Sequence, residues 1–330
     1  MEAGALRPRG DGLSRLERPS RERLADPAFR WVLTCLAAGI LILVGYFFIR
    51  LIGKASPAFS RFGVFGFTFD NNWDPAHDVY GALPLLVGTI VTSAIALLIG
   101  VPIAIGTALY ATELCPRRLR PVLRTLLDLL AAVPSVVYGL WGFLFLAPKL
   151  HGVEQFFADK LSFIPFIGGG SVTNPNYFIA GLILAIMILP IVSAISREVM
   201  ATVPSDHKEA ALALGATRWE MIRTAVLPYS RAGITGATML GLGRALGETI
   251  AVTLVIGQTT EIPSHIFNQG QSLAGVIANE FGEATPIHVS ALIAAGLVLF
   301  VLTLAVNAFA RAYVVRAGRT QRAAAVGVGA

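Results

Sequence analysis

Apolar residues fall in long runs along this chain, separated by short polar connections. Trp31 to Ile49 and Val79 to Thr112 contain no charged residue. Further runs cover Leu129 to Pro148, Tyr177 to Ser196, Ala232 to Gln258 and Pro286 to Ala310. A bilayer core takes about 20 mostly apolar residues per helix. The pattern therefore predicts an all-α membrane protein with six transmembrane helices. The fifth run differs from the rest in holding two charges, Arg244 and Glu248.

The polar connections predict orientation. Of the 26 Lys and Arg residues, twenty lie in the N-terminal tail, in Arg117 to Arg124, in Arg197 to Arg231 and from Arg311 onward. Basic residues favour the cytoplasmic side, so both termini are expected there. Residues 1–30 read as a disordered tail rich in Arg, Pro, Gly and Glu, able to be drawn to anionic lipid. They are too long and polar for a secretory signal. Residues 31–312 read as the membrane domain and 313–330 as a cytoplasmic C-terminal tail. On the other side, Gly53 to Tyr80 is rich in aromatics, and the alternation from Phe65 to Phe69 is strand-like. These rings suit either an interfacial belt or a docking surface for an external partner. Gly168 to Gly170 loosens the next external connection, and residues 259–285 carry no Lys or Arg.

Composition narrows the function class. Charged residues make up 14% of the chain, hydrophobic residues 55%, and mean hydropathy is +0.69. Soluble domains have about 25% charged residues. The net charge of +6 thus reflects basic loops on an apolar chain, and no nucleic-acid partner is expected. Cys35 and Cys115 offer no disulfide framework, and the five histidines offer no metal pair. No phosphate-loop motif occurs, so the chain itself should not hydrolyse ATP. GLGRALG at Gly241 to Gly247 misses the dinucleotide spacing and has no strand before it. A G-x-S-x-G elbow is absent too. The chain is expected to be non-catalytic, with no cofactor of its own.

An ionised side chain at the bilayer centre costs about 2.5–3.5 kcal/mol or more, so Arg244 should face protein or water. On a continuous helix Glu248 would share its face and could pair with it. A guanidinium suits a tetrahedral oxyanion, and a competing carboxylate would keep affinity low enough for release. The alternative is a structural ion pair. Gly233, Ala237 and Gly241, with the GxxxG pair Gly243 and Gly247, suit close helix packing, expected across a subunit boundary. In the third span, Pro134 and Gly139 interrupt helical regularity. Pro134, Ser135 and Tyr138 are candidates for lining a path, or mark a plain proline kink.

Between the fourth and fifth spans, the segment Glu209 to Pro228 predicts a cytoplasmic helix, a turn at Gly215 and a second helix. The second helix should place Trp219, Ile222 and Val226 on one face, with Pro228 ending it before the next span. Glu209, Ala210, Ala211 and Gly215, followed after nine residues by Ala225-x-Leu227-Pro228, resemble the E-A-A-x-x-x-G…I-x-L-P loop of bacterial ABC importer permeases. Ala225 departs from the isoleucine of that pattern, leaving its place to Ile222 or Val226. YGALPLLVGTIVTS at Tyr80, VPSVVYGLWG at Val133 and GLGRALGETIAVT at Gly241 are similar to the PstC family of phosphate-importer permeases. The resemblance spans roughly residues 31–315.

The resemblance implies a type I ABC importer permease fold in the bacterial inner membrane. Glu209 to Pro228 would be the coupling helix, seated in a groove of the ATPase. The implied partners are a PstA-like permease, two PstB-like ATPase subunits holding ATP and Mg, and an external PstS-like phosphate-binding protein. Arg244 and Glu248 would serve phosphate passage. A permease for another oxyanion, such as sulfate or molybdate, or a membrane phosphate sensor or scaffold, are the alternatives.

Overall fold

A computed structural model describes residues 20–164, 166–168 and 171–327, with side chains described from residue 27 to residue 312. Residues 1–53 and 54–330 form separate compact units. Helix α1 (Ser20–Phe62) starts in the first unit and ends in the second. The expected disordered tail is thus helical from Ser20, and its first 19 residues lie outside those described.

The second unit continues with α2 (Val64–Phe69), a hairpin of β1 (Trp73–Asp74) and β2 (Val79–Tyr80), and α3 (Leu83–Leu109). Then come α4 (Arg120–Ala132), α5 (Ser135–Trp141), α6 (Ala147–Lys160), α7 (Tyr177–Ala201) and α8 (Ser205–Ala213). The chain ends with α9 (Arg218–Met221), α10 (Leu227–Gly247), α11 (Ile250–Ile256), α12 (Leu273–Glu280) and α13 (Pro286–Gly327). Residues 313–327, read as a tail, continue that last helix. Among the described residues, five helices are long and apolar enough to cross a membrane. A sixth crossing arises if the pair Arg218–Gly247 and Ile250–Ile256, bent by 64°, is one span.

Helix α7 is the axis of the packing. Ile179, Ile183, Leu184, Ile188 and Val192 are fully buried along it, between α3 and α10. Small residues permit the approach. A Cβ at Gly241 would lie 2.7 Å from Val192 Cγ2, and one at Gly233 would collide with Val199. The stripe Gly233, Ala237, Gly241 therefore packs within this chain, not across a subunit boundary as its spacing suggested. Gly243 and Gly247 meet nothing within 4 Å.

Two span boundaries differ from the apolar pattern, and proline explains both. The third span starts at Ser135 rather than Leu129 and runs past Pro148 to Lys160. Leu129 to Ala132 finish α4, and the chain turns extended at Val133 (ψ 127°) and Pro134 (ψ 141°). Pro148 does not end the helix, because the π-helical turn Gly142–Leu146 precedes it. Pro228 is likewise preceded by the π turn Ile222–Val226, and the helix runs on into α10 instead of stopping. A proline removes the N–H owed to the carbonyl four residues back and crowds that carbonyl. A π turn, bonding five residues back, provides the extra room.

The aromatics of residues 59–80 form an internal cluster. Phe65 to Phe69 lies in a helix rather than a strand, set off by Gly63 at φ 73°. Phe67, Trp73 and Tyr80 are buried, with Trp73 and Tyr80 ring centroids 5.2 Å apart. The Trp73 indole donates to Glu280 (3.0 Å), which also meets His288 Nε2 (2.8 Å). Phe65 and Phe69 remain exposed.

Candidate translocation and coupling sites

The third span begins directly after a break at Pro134, and the fifth is interrupted at Glu248. Helices α5 and α11 pack together, so closely that a Cβ at Gly139 would sit 2.9 Å from the Ala251 Cα. At the first interruption, Pro134 has no N–H to give the Leu130 carbonyl. The Tyr138 hydroxyl donates to that carbonyl instead, at 2.7 Å. Tyr138 is thus buried and holds the break in place. Ser135, the first residue of α5, is half-buried one turn before it.

The second interruption falls at Glu248. There the backbone turns extended (φ −71°, ψ 126°), ending α10 directly after Gly247. Arg244 lies exposed in the last turn of α10. Glu248 is half-buried and faces the start of α11, accepting from the Ala251 N–H at 3.4 Å. The expected Arg244–Glu248 pair on one helical face is therefore not made. Among the described residues no ion pair joins them, because the helix that would align them stops between them. Gly247 followed by the polar pair Glu248–Thr249 inside an apolar run was the sequence signal for this break.

At the other end, α8 and α9 form the expected helical hairpin. Gly215 adopts φ 84°. The Gly215 N–H donates to Leu212 O (3.0 Å) and the Ala216 N–H to Ala211 O (3.2 Å). This double closure satisfies the last carbonyls of α8 and favours glycine at the left-handed position. Thr217 then caps α9 in a reciprocal arrangement with Glu220. Glu209 and Ala210 are exposed, and Ala211, Leu227 and Pro228 are half-buried. Ile222 and Val226 are buried with Met221, against Ala108, Met200 and Val203. They supply the apolar anchor that Ala225 does not. Trp219 does not share their face. It is 62% exposed, and Leu214, at the end of α8, is 90% exposed, so the hairpin leaves two large apolar side chains uncovered. Lys208 ties α8 to the end of α3 through Glu113 (2.6 Å), a pairing 95 residues apart that no local pattern signals.

A family model described as a binding-protein-dependent transport system inner membrane component matches residues 100–319. The chain belongs to this permease family. The matched region contains both interruptions and the hairpin. The permease is 40% identical over 308 residues to the phosphate transport system permease protein PstC of Xylella fastidiosa, covering 92% of this chain and 95% of that protein. It is 43% identical over 302 residues to the PstC of Mesorhizobium japonicum, covering 90% and 92%. Among solved structures, it resembles a bacterial ABC transporter involved in the import of the acidic polysaccharide alginate. There the TM-score is 0.59 and the identity 18%, over 89% of this chain and 99% of that one. At that identity the likeness establishes the fold. The permease is thus a multi-pass inner-membrane subunit with the ABC importer permease fold.

Proposed function

We propose that this permease forms half of the path of an ATP-driven inorganic phosphate importer. The observation that carries the reading is an arginine at a helix break with no ion pair among the described residues, in a chain about 40% identical to PstC permeases along nearly its whole length. Arg244 offers a planar, permanently charged donor set to an oxyanion. Glu248, turned toward α11, leaves that donor set free at rest. Ser135 and Tyr138 flank the same path on the α5 side.

Both termini and the α8–α9 hairpin face the cytoplasm, following the basic residues. Glu209, Ala210, Ala211 and Gly215 dock with one of two PstB-like ATPase subunits, which hold ATP and Mg and carry out hydrolysis. A PstA-like permease completes the path, and a PstS-like binding protein delivers phosphate from outside. The continuity of the helix through Leu227 and Pro228 supports a mechanical link. Arg218 to Gly247 is one uninterrupted rod of 30 residues, about 45 Å long at 1.5 Å per residue. A push at the hairpin is thereby delivered to the turn that holds Arg244.

Radiolabelled phosphate uptake by the reconstituted complex tests the reading. Arg244→Gln is expected to cut uptake at least about tenfold, as for one lost charge-assisted contact, while assembly and ATP hydrolysis persist. Undiminished uptake overturns the role of Arg244.

A further inference from the structure

A cluster of cations lies where α8 meets α4 and α7. A pocket of about 440 Å³ is lined by Arg120 and Arg124 of α4, Arg197 and Glu198 of α7, Lys208 of α8, and Glu113 from the turn after α3. Four cations face two carboxylates. Glu113 is engaged by Lys208. Arg120 donates through Nη2 to the Thr112 carbonyl (2.8 Å) and through Nε to the Cys115 carbonyl (3.1 Å). Those bonds fix its guanidinium without neutralising it. Arg197 Nη1 is buried with no hydrogen-bond acceptor among the described residues. Arg124 is exposed and forms no ion pair among them.

A buried guanidinium N–H without an acceptor is unfavourable. With Glu113 taken by Lys208, three arginines face Glu198 alone around the cavity, an excess of positive charge that a further anion would offset. We propose that this pocket binds a phosphate group, held by Arg197 with Arg120 and Arg124. Guanidinium groups pair with phosphate oxygens in bidentate fashion, and the cavity has room for a tetrahedral anion with water around it. The group can come from free inorganic phosphate or from an anionic lipid headgroup, since the recognition chemistry is the same. Lys208 belongs both to the wall of the pocket and to the base of α8, so the bound anion braces the hairpin against α4 and α7. That consequence rests on the coupling role of α8; the binding does not.

The test uses the full-length chain carrying Arg244→Gln, which removes the cation of the translocation path. The result therefore stands whether or not phosphate is the transported anion. In neutral phosphatidylcholine nanodiscs, inorganic phosphate should raise the thermal unfolding midpoint. Adding Arg197→Gln or Arg124→Gln should weaken that effect at least about tenfold in phosphate concentration. If the source is lipid, phosphatidic acid in phosphate-free buffer gives the stabilisation, with the same dependence on both arginines. Arg124 is exposed, so its substitution keeps the test valid if Arg197→Gln misfolds. Stabilisation by neither probe, or stabilisation indifferent to both arginines, overturns the proposal.

Discussion

Pro134 and Pro228 stand at the starts of the third and fifth membrane spans, and the chain treats them in opposite ways. At Pro134 the helix stops, the backbone goes extended, and the Leu130 carbonyl finds the Tyr138 hydroxyl. At Pro228 the helix widens into a π turn and continues. The same missing N–H is answered once by a side chain and once by a change of helical pitch. A break ends helical continuity between α4 and α5 and leaves one side-chain hydrogen bond across it, whereas a π turn joins α9 to α10 as one body. The span that begins at the hairpin is continuous up to Gly247, while α5 is tied to α4 through Tyr138 and pressed against α11.

That pressure gives the largest expected effect. A Cβ at Gly139 would meet backbone of α11 at 2.9 Å, and backbone cannot yield as a flexible side chain can. Gly139→Ala should destabilise the protein by about 1–3 kcal/mol and reduce uptake. Gly106→Ala meets open space and should be neutral or mildly stabilising. Thermal midpoints of the two variants in the same detergent check this, and equal midpoints would mean that α5 and α11 are not held in contact.

An intermediate effect addresses the break itself. Tyr138→Phe leaves the Leu130 carbonyl without its donor and should cost about 1 kcal/mol. Adding Pro134→Ala returns a backbone N–H at the position four residues after Leu130. Part of the loss should then be recovered, a non-additivity that a double-mutant cycle reads directly. Strict additivity would show that the hydroxyl does not stand in for the missing N–H.

Much of this arrangement was legible in the sequence. The apolar runs located the five long spans and the bent pair that can make a sixth, because bilayer length imposes a pattern that local detail cannot hide. The turn at Gly215 was legible because a left-handed closure favours glycine. Arg244 stood out because a charge in an apolar run is costly. The break at Glu248 was marked only by Gly247 followed by the polar pair Glu248–Thr249; no proline flags it, and i to i+4 spacing presumes a helix that continues. Pro228 misled for a related reason. The rule that proline ends a helix takes no account of a π turn upstream, and apolar periodicity carries no record of that phase change. The destination of the Gly233 stripe was hidden too. Small residues announce a close contact but not its partner, which proved to be Val192 and Val199 of the same chain.

The smallest effect on stability, and the sharpest test of the contrast, belongs to Pro228→Ala. Losing the ring relieves the crowding that the π turn accommodates, but it also loosens the unfolded chain. These opposing changes are each about 0.4–1 kcal/mol, so the unfolding midpoint should hardly move. The informative readout is coupling. If the proline maintains the π turn, its removal lets the segment Ile222–Val226 revert to an α-helical phase. That reversion rotates the hairpin by about 100°, one residue's worth of helix, relative to Arg244. Phosphate taken up per ATP hydrolysed should then fall in the reconstituted complex while stability stays the same. An unchanged ratio would mean that the buried anchors Met221, Ile222 and Val226 set the phase by their packing, and that the proline merely tolerates it.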